Sequence, residues 1–185
     1  SSEDKSHDSQ KAIPWLLKSA EQNNSLAQSL LGSIYNDGKG VEADYSLSFY
    51  WFQKAAVNGH VFSQYQLGIR LRDGIGVAKN AQSGFDWLSK AAEAGHAAAQ
   101  NEMGLFYLKG DVVKKDELAA NQWFRKSADQ SNPFGMINLG ISYEYGKGVV
   151  QSYAKAAEYF QKAADLGSPE GYYYLSTFYF NGNGV

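Results

Sequence analysis

Small and apolar residues return along this chain on one side of successive helices. From His60 to Arg72 the stripe is Ser63, Leu67, Gly68 and Leu71, at i, i+4, i+5 and i+8. From Ala81 to Ala94 it is Gly84, Trp87, Leu88 and Ala91. Between them DGIGVAKN, residues 73–80, offers turn glycines and ends on Asn80, a residue type that caps helix starts. Gly95 follows the second stripe, where a helix commonly stops. The pattern predicts a hairpin of two helices, A then B.

The hairpin recurs. LGSIYNDGKGV at residues 31–41 returns from Leu67, Met103, Leu139 and Leu175, each start 36 residues after the last. Asp44, Asp116 and Ser152 align with Asn80 as capping types. In helix B, Trp15, Lys18 and Ala20 align with Trp51, Lys54 and Ala56, and with Trp87, Lys90 and Ala92. Two further copies are Trp123, Lys126, Ala128 and Tyr159, Lys162, Ala164. A constant period of this length marks stacked repeats, each too small to bury its apolar face alone. Residues 1–12 are polar and read as a disordered leader or remnant. Residues 13–185 read as the repeat array: a partial repeat over 13–24, repeats starting near 25, 60, 96 and 132, and a truncated one near 168. Gly32, Gly68, Gly104 and Gly140 lie inside helix A at a cost of roughly 1 kcal/mol each relative to alanine, which predicts close helix approach. The pairs Ala55–Ala56, Ala91–Ala92 and Ala163–Ala164 predict the same for helix B, with Trp51, Trp87 and Trp123 filling the space between hairpins. The last repeat reaches Val185 without a helix B, so Tyr172, Tyr174, Phe178 and Tyr179 are expected to lack part of their packing partner. The expectation is a fragment of a longer repeat protein, or an end that packs on another copy.

The sequence of residue types, Leu-Gly, Tyr, Gly-x-Gly-Val, Trp, Lys-Ala-Ala and a closing Gly, resembles the Sel1-like repeat family, a relative of the tetratricopeptide repeats. The resemblance covers about residues 13–185. It implies an all-α fold, a right-handed superhelical α-solenoid of helix-turn-helix repeats with a 36-residue period. The chain departs from the pattern at Leu71, which replaces the usual Tyr, and at Gly110–Val113, where one loop glycine is missing. Ser131 stands in place of the closing glycine.

Composition narrows the function. Seventeen basic residues against nineteen acidic ones leave a net charge of −2 and no basic block, which argues against nucleic-acid binding. No apolar run is long enough to span a bilayer. The absence of cysteine removes disulfides and thiolate metal sites. The glycine loops GKGVEA, GIGVAK and GKGVVQ are not phosphate loops, since no strand precedes them and the third glycine is lacking. Of the three histidines, His60 and His96 share a repeat position on the order of 10 Å apart, too far to share a metal. They read as capping or partly buried side chains. No metal, cofactor or catalytic residue is assigned, and the chain is read as not an enzyme.

The aromatics, 15% of the residues, need an explanation. At 100° per residue, the side of helix A turned from the stripe carries Phe62, Tyr65, Ile69 and Arg72, then Leu105 and Leu108, then Phe134, Ile137, Ile141 and Tyr145, then Tyr173 and Phe180. By resemblance to tetratricopeptide arrays these positions line a concave, partner-binding face. Leu26, Ser29, Ser33, Asn36, Asp37, Asp73, Ala98, Asn101, Lys109, Glu144, Glu170, Thr177 and Asn181 complete it. Large exposed apolar patches mark interaction sites. The competing expectation is that these side chains pack between neighbouring A helices.

The resulting expectation is a non-catalytic adaptor holding a protein or peptide in an apolar, aromatic groove. The resemblance implies a bacterial protein, an envelope regulator or a host-directed effector, periplasmic or secreted, with the cytoplasm left open. It also supplies an alternative, because one branch of the family, with paired cysteines, is linked to binding or slow hydrolysis of β-lactams. A third reading is a self-assembling array joined end to end near Tyr174 and Phe178.

Overall fold

Polar side chains start the helices. Asn24, Asp44, Asn80, Asp116, Asn132, Ser152 and Ser168 each have an extended backbone, and each accepts hydrogen bonds from amides of the first turn that follows. A computed structural model describes residues 2–183, with the side chains of residues 11–183. The helices run α1 (Ser2–Glu21), α2 (Ser25–Asp37), α3 (Tyr45–Val57), α4 (Val61–Asp73), α5 (Ala81–Glu93), α6 (Ala97–Lys109), α7 (Glu117–Asp129), α8 (Pro133–Tyr145), α9 (Tyr153–Asp165) and α10 (Pro169–Phe180). No strand occurs among the described residues. The even-numbered helices are the A helices and the odd-numbered ones the B helices. The chain forms two compact units, Ser1–Ala94 and Gly95–Val185.

The segment read as a leader is helical from Ser2 into the first repeat. No glycine or proline interrupts it before Pro14, and Glu3 and Asp4 favour a helix N-terminus. Residue 1 lies outside the described residues.

Within each hairpin the loop is closed in the same way. The cap amides of Asp44, Asn80, Asp116 and Ser152 donate to the carbonyls of Tyr35, Leu71, Tyr107 and Tyr143. The third loop keeps this bond although Val112 replaces the second glycine. In the second and fourth loops that glycine packs on backbone: a Cβ on Gly76 would lie 2.0 Å from the Tyr45 carbonyl oxygen.

The A-helix glycines admit the B helix closely. A Cβ on Gly32, Gly104 or Gly140 would enter the ring of Phe52, Phe124 or Phe160, and one on Gly68 would meet Leu88. These four partners are the deep fill, each at most 2% exposed. The tryptophans expected in that role sit one residue earlier and one step further out. Trp87 and Trp123 are half-buried, each with the ammonium of Lys90 or Lys126 4.1 Å from its ring centroid. Trp15 is 72% exposed under Lys18. Trp51 alone is buried, against Tyr50.

A further buried position escapes the hydrophobic pattern. Ile34, Arg70, Phe106, Ser142 and Phe178 share it, and all are buried. The Arg70 guanidinium donates to Asn36, Ser48 and Gln66 and lies 4.5 Å from the Phe52 ring.

Candidate functional site

In the first unit the expected face is carried by α2 and α4. Phe62 is exposed, its ring edge-to-face with Phe52, while Tyr65 and Ile69 are half-buried. Arg72 folds onto its neighbour: its Nε and a terminal nitrogen bind both carboxylate oxygens of Asp73 at 2.7 and 2.8 Å. Phe62 thus presents a ring to solvent beside the half-buried Tyr65 and Ile69.

In the second unit the face divides. Where α8 meets α6, Ile137 is 4% exposed and Asn101, at the equivalent position, is 7% exposed. Asn138 donates to the Asn101 side chain at 2.8 Å, tying the two helices together. Leu105, Leu108 and Ile141 are half-buried against the core of this unit. The expectation of an open face fails at Ile137 because a neighbouring A helix covers it. Phe134 is exposed at the start of α8, apart from the cleft described next.

Between α8 and α10 the face opens into a shallow cleft of ≈ 470 Å³. Ile141, Glu144 and Tyr145 line it from α8, and Tyr173, Tyr174, Thr177, Phe180 and Asn181 from α10 or just beyond its end. The spacing within each set follows one helical side. Tyr145 and Tyr173 are each 63% exposed, and Phe180 is 91% exposed.

Local sequence builds these walls. Asn132 and Ser168 cap α8 and α10, each followed by a proline whose missing N–H is unneeded in the first helical turn. Gly146, with φ of +67°, turns the chain out of α8 directly after Tyr145. Behind the cleft, Tyr174 stacks on Phe160 with ring centroids 5.6 Å apart and an interplanar angle of 17°. Tyr173 meets Tyr174 edge-on at 5.5 Å and 79°, so the two rings form a corner. Glu144 is the one carboxylate in the lining, and no Lys, Arg or His joins it. Its Oε1 accepts a hydrogen bond from the Asn183 side chain at 3.1 Å.

Of the expected binding residues, Ile141, Tyr145, Tyr173 and Phe180 are thus brought together. Tyr174 was read as a packing residue short of part of its partner; it is a cleft wall. Phe178, expected to lack part of its packing partner, is 1% exposed against Phe160 and Tyr153, so it is closed to a second copy of the chain. The sequence signal for Tyr174 is the phenylalanine aligned with Phe52 and Phe124, which reappears as Phe160 and gives the ring its stacking partner.

Among the described residues, no cluster of three or more His, Cys, Asp or Glu is arranged to hold a metal ion. No helix there is long and apolar enough to cross a membrane. The Nδ1 of His96 accepts the Ala99 amide at 3.3 Å as a helix cap, and burial lowers the pKa of this imidazole below 6.5.

The Sel1 repeat model matches residues 3–24, 25–60, 61–96, 97–132, 133–168 and 169–185. No curated protein matches the chain. A protective antigen of uropathogenic Escherichia coli with an SLR fold is 35% identical, with a TM-score of 0.85 over 94% of this chain. The chain spans 37% of the length of that antigen. A Sel1 repeat protein of Oxalobacter formigenes is 31% identical, with a TM-score of 0.87 over 95% of this chain and 70% of its own. The cysteine-rich protein B of Helicobacter pylori is 28% identical, with a TM-score of 0.57 over 68% of this chain and 93% of its own. Sel1 repeats generally serve as non-catalytic scaffolds for protein interaction. Helical hairpins at a fixed period, six consecutive model matches and these relatives agree: the chain is an all-α helical repeat solenoid and belongs to the Sel1 repeat family.

Proposed function

We propose that this chain is a non-catalytic adaptor that holds a segment of a partner protein against its A helices, anchored in the α8–α10 cleft. The observation that carries the reading is the gathering of Ile141, Tyr145, Tyr173 and Phe180, exposed or half-exposed, around one open cleft. Tyrosine and phenylalanine are common anchors at interfaces. A wall fixed by stacking on Phe160 loses little freedom when a partner binds. Phe62, Tyr65, Ile69 and Arg72 offer a second, flatter contact surface in the other unit. The β-lactam alternative is not favoured, since the chain has no cysteine. All three relatives described are bacterial, in keeping with a bacterial protein acting in the periplasm, outside the cell or on a host.

The test is affinity capture from bacterial and host-cell extracts with wild type and a Tyr145→Ala, Tyr173→Ala variant. Both side chains are largely exposed, so helicity by circular dichroism should not change. A protein retained by wild type and lost by the variant is the expected result, at about 1–2 kcal/mol of binding per anchor. Equal retention would refute the cleft as the docking site.

A further inference from the structure

The α8–α10 cleft has a composition that goes beyond apolar docking. Its corner is made of the faces and edges of Tyr173 and Tyr174, set nearly at right angles, and Tyr174 is held in place by Phe160. Glu144 contributes the only formal charge in the lining. One of its carboxylate oxygens is engaged by Asn183. An electron-rich corner beside a carboxylate, with no cation among the lining residues, is complementary to an ammonium or guanidinium group on an aliphatic stem. The chain repeatedly makes this contact with its own residues: Lys90, Lys126 and Lys162 each lie over an aromatic ring three residues earlier. Lys147 does so at Tyr145, 5.3 Å from its centroid, which leaves Tyr173 and Tyr174 as the rings for an incoming group.

We infer that the cleft selects a basic side chain, lysine or arginine, presented by an extended apolar segment of the partner. This rests on the docking reading above and names the chemistry of its anchor. The aliphatic stem lies along Ile141 and Phe180 while the cationic head reaches the tyrosine corner and Glu144. A carboxylate-bearing segment would meet Glu144 as a like charge and be rejected.

The test is an NMR titration of isotope-labelled protein with two capped pentapeptides, Ala-Leu-Lys-Leu-Ala and the same sequence with norleucine for lysine. Norleucine keeps the stem and lacks the ammonium. The lysine peptide is expected to shift resonances of Glu144, Tyr173 and Tyr174 and to bind about tenfold more tightly than the norleucine peptide. Glu144→Gln, which retains an acceptor for Asn183, should remove most of that preference, and Tyr173→Leu should weaken the lysine peptide while leaving the norleucine peptide nearly unchanged. Equal binding of both peptides, an undiminished preference in Glu144→Gln, or no shift at the cleft with either peptide would each overturn the inference. The docking reading has a separate measure: partner capture lost in Tyr145→Ala, Tyr173→Ala but kept in Glu144→Gln would retain the cleft and discard the charge selection.

Discussion

Ser131 carries a conformational cost and His96 a titration cost in the folded state. Ser131 has φ of +60°, in the left-handed region that Asn23, at +62°, and Gly59, Gly95 and Gly167 adopt at the equivalent position. A side chain at those glycine positions would meet nothing within 4 Å, so the cost at Ser131 is in the backbone and not in crowding. Ser131→Gly is expected to raise stability by about 0.5–1 kcal/mol, the relief of the left-handed penalty less the added freedom of the unfolded chain; urea denaturation measures it. His96 caps α6 through an imidazole nitrogen that must be unprotonated to accept. Burial lowers its folded pKa below the ordinary 6.5. The stability it contributes is therefore complete above the ordinary histidine range and is lost as pH falls through the lowered folded value. Thermal midpoints measured from about pH 7 to pH 5 should fall less steeply in His96→Asn, which keeps a capping acceptor that does not titrate. An unchanged slope would remove His96 from the acid response.

At the scale of helices, α4 and α5 approach closely where glycine faces glycine. A Cβ on Gly84 would lie 2.9 Å from both the Arg72 amide nitrogen and the Gly68 carbonyl oxygen, and neither backbone atom can swing aside. Gly84→Ala should lose about 1–2 kcal/mol despite the better helix propensity of alanine, whereas Ala120→Gly, at the equivalent position of α7, should lose about 1–2 kcal/mol through propensity and the loss of a buried methyl. Helix positions, caps and this close approach were legible in the sequence because spacing and residue type determine them. The depth ordering of the B helix was not. Tryptophan is the larger residue, but Phe52, Leu88, Phe124 and Phe160 point at the glycines, and the adjacent indoles lie one helical step, about 100°, further round. Arg70 was missed for a different reason: a charged residue breaks the apolar pattern although its guanidinium lies over Phe52 where Phe178 meets Phe160 edge-on.

For the molecule as a whole, the period identifies the fold but assigns every repeat the same environment. Asn101, Ile137 and Tyr173 occupy one register, and they are 7%, 4% and 63% exposed. A helical wheel gives a direction; whether a neighbouring helix lies in that direction depends on packing outside the repeat. The candidate face is therefore interior at Ser29, Asn101 and Ile137 and open at Tyr173, and the cleft took in a residue assigned to packing. The same inequality among repeats bears on how such a chain avoids misassembly. Modules of similar sequence could in principle dock in the wrong order. Arg70 forbids this locally: buried at 3% exposure, with Nε unpartnered, it depends on Asn36 and Ser48 of the preceding hairpin for acceptors. Arg72 and Gly84, Leu108 and Ala120, and Glu144 and Ala156 hold those two positions in the later hairpins. The first pair would set a like charge against the guanidinium, the second would leave it only Gln66 of its own helix, and the third would replace two neutral acceptors with one carboxylate. A misplaced stack would strand or mispair a buried cation at a cost of several kcal/mol, which makes the second repeat a key that fits one predecessor and gives an apparently interchangeable chain a fixed order.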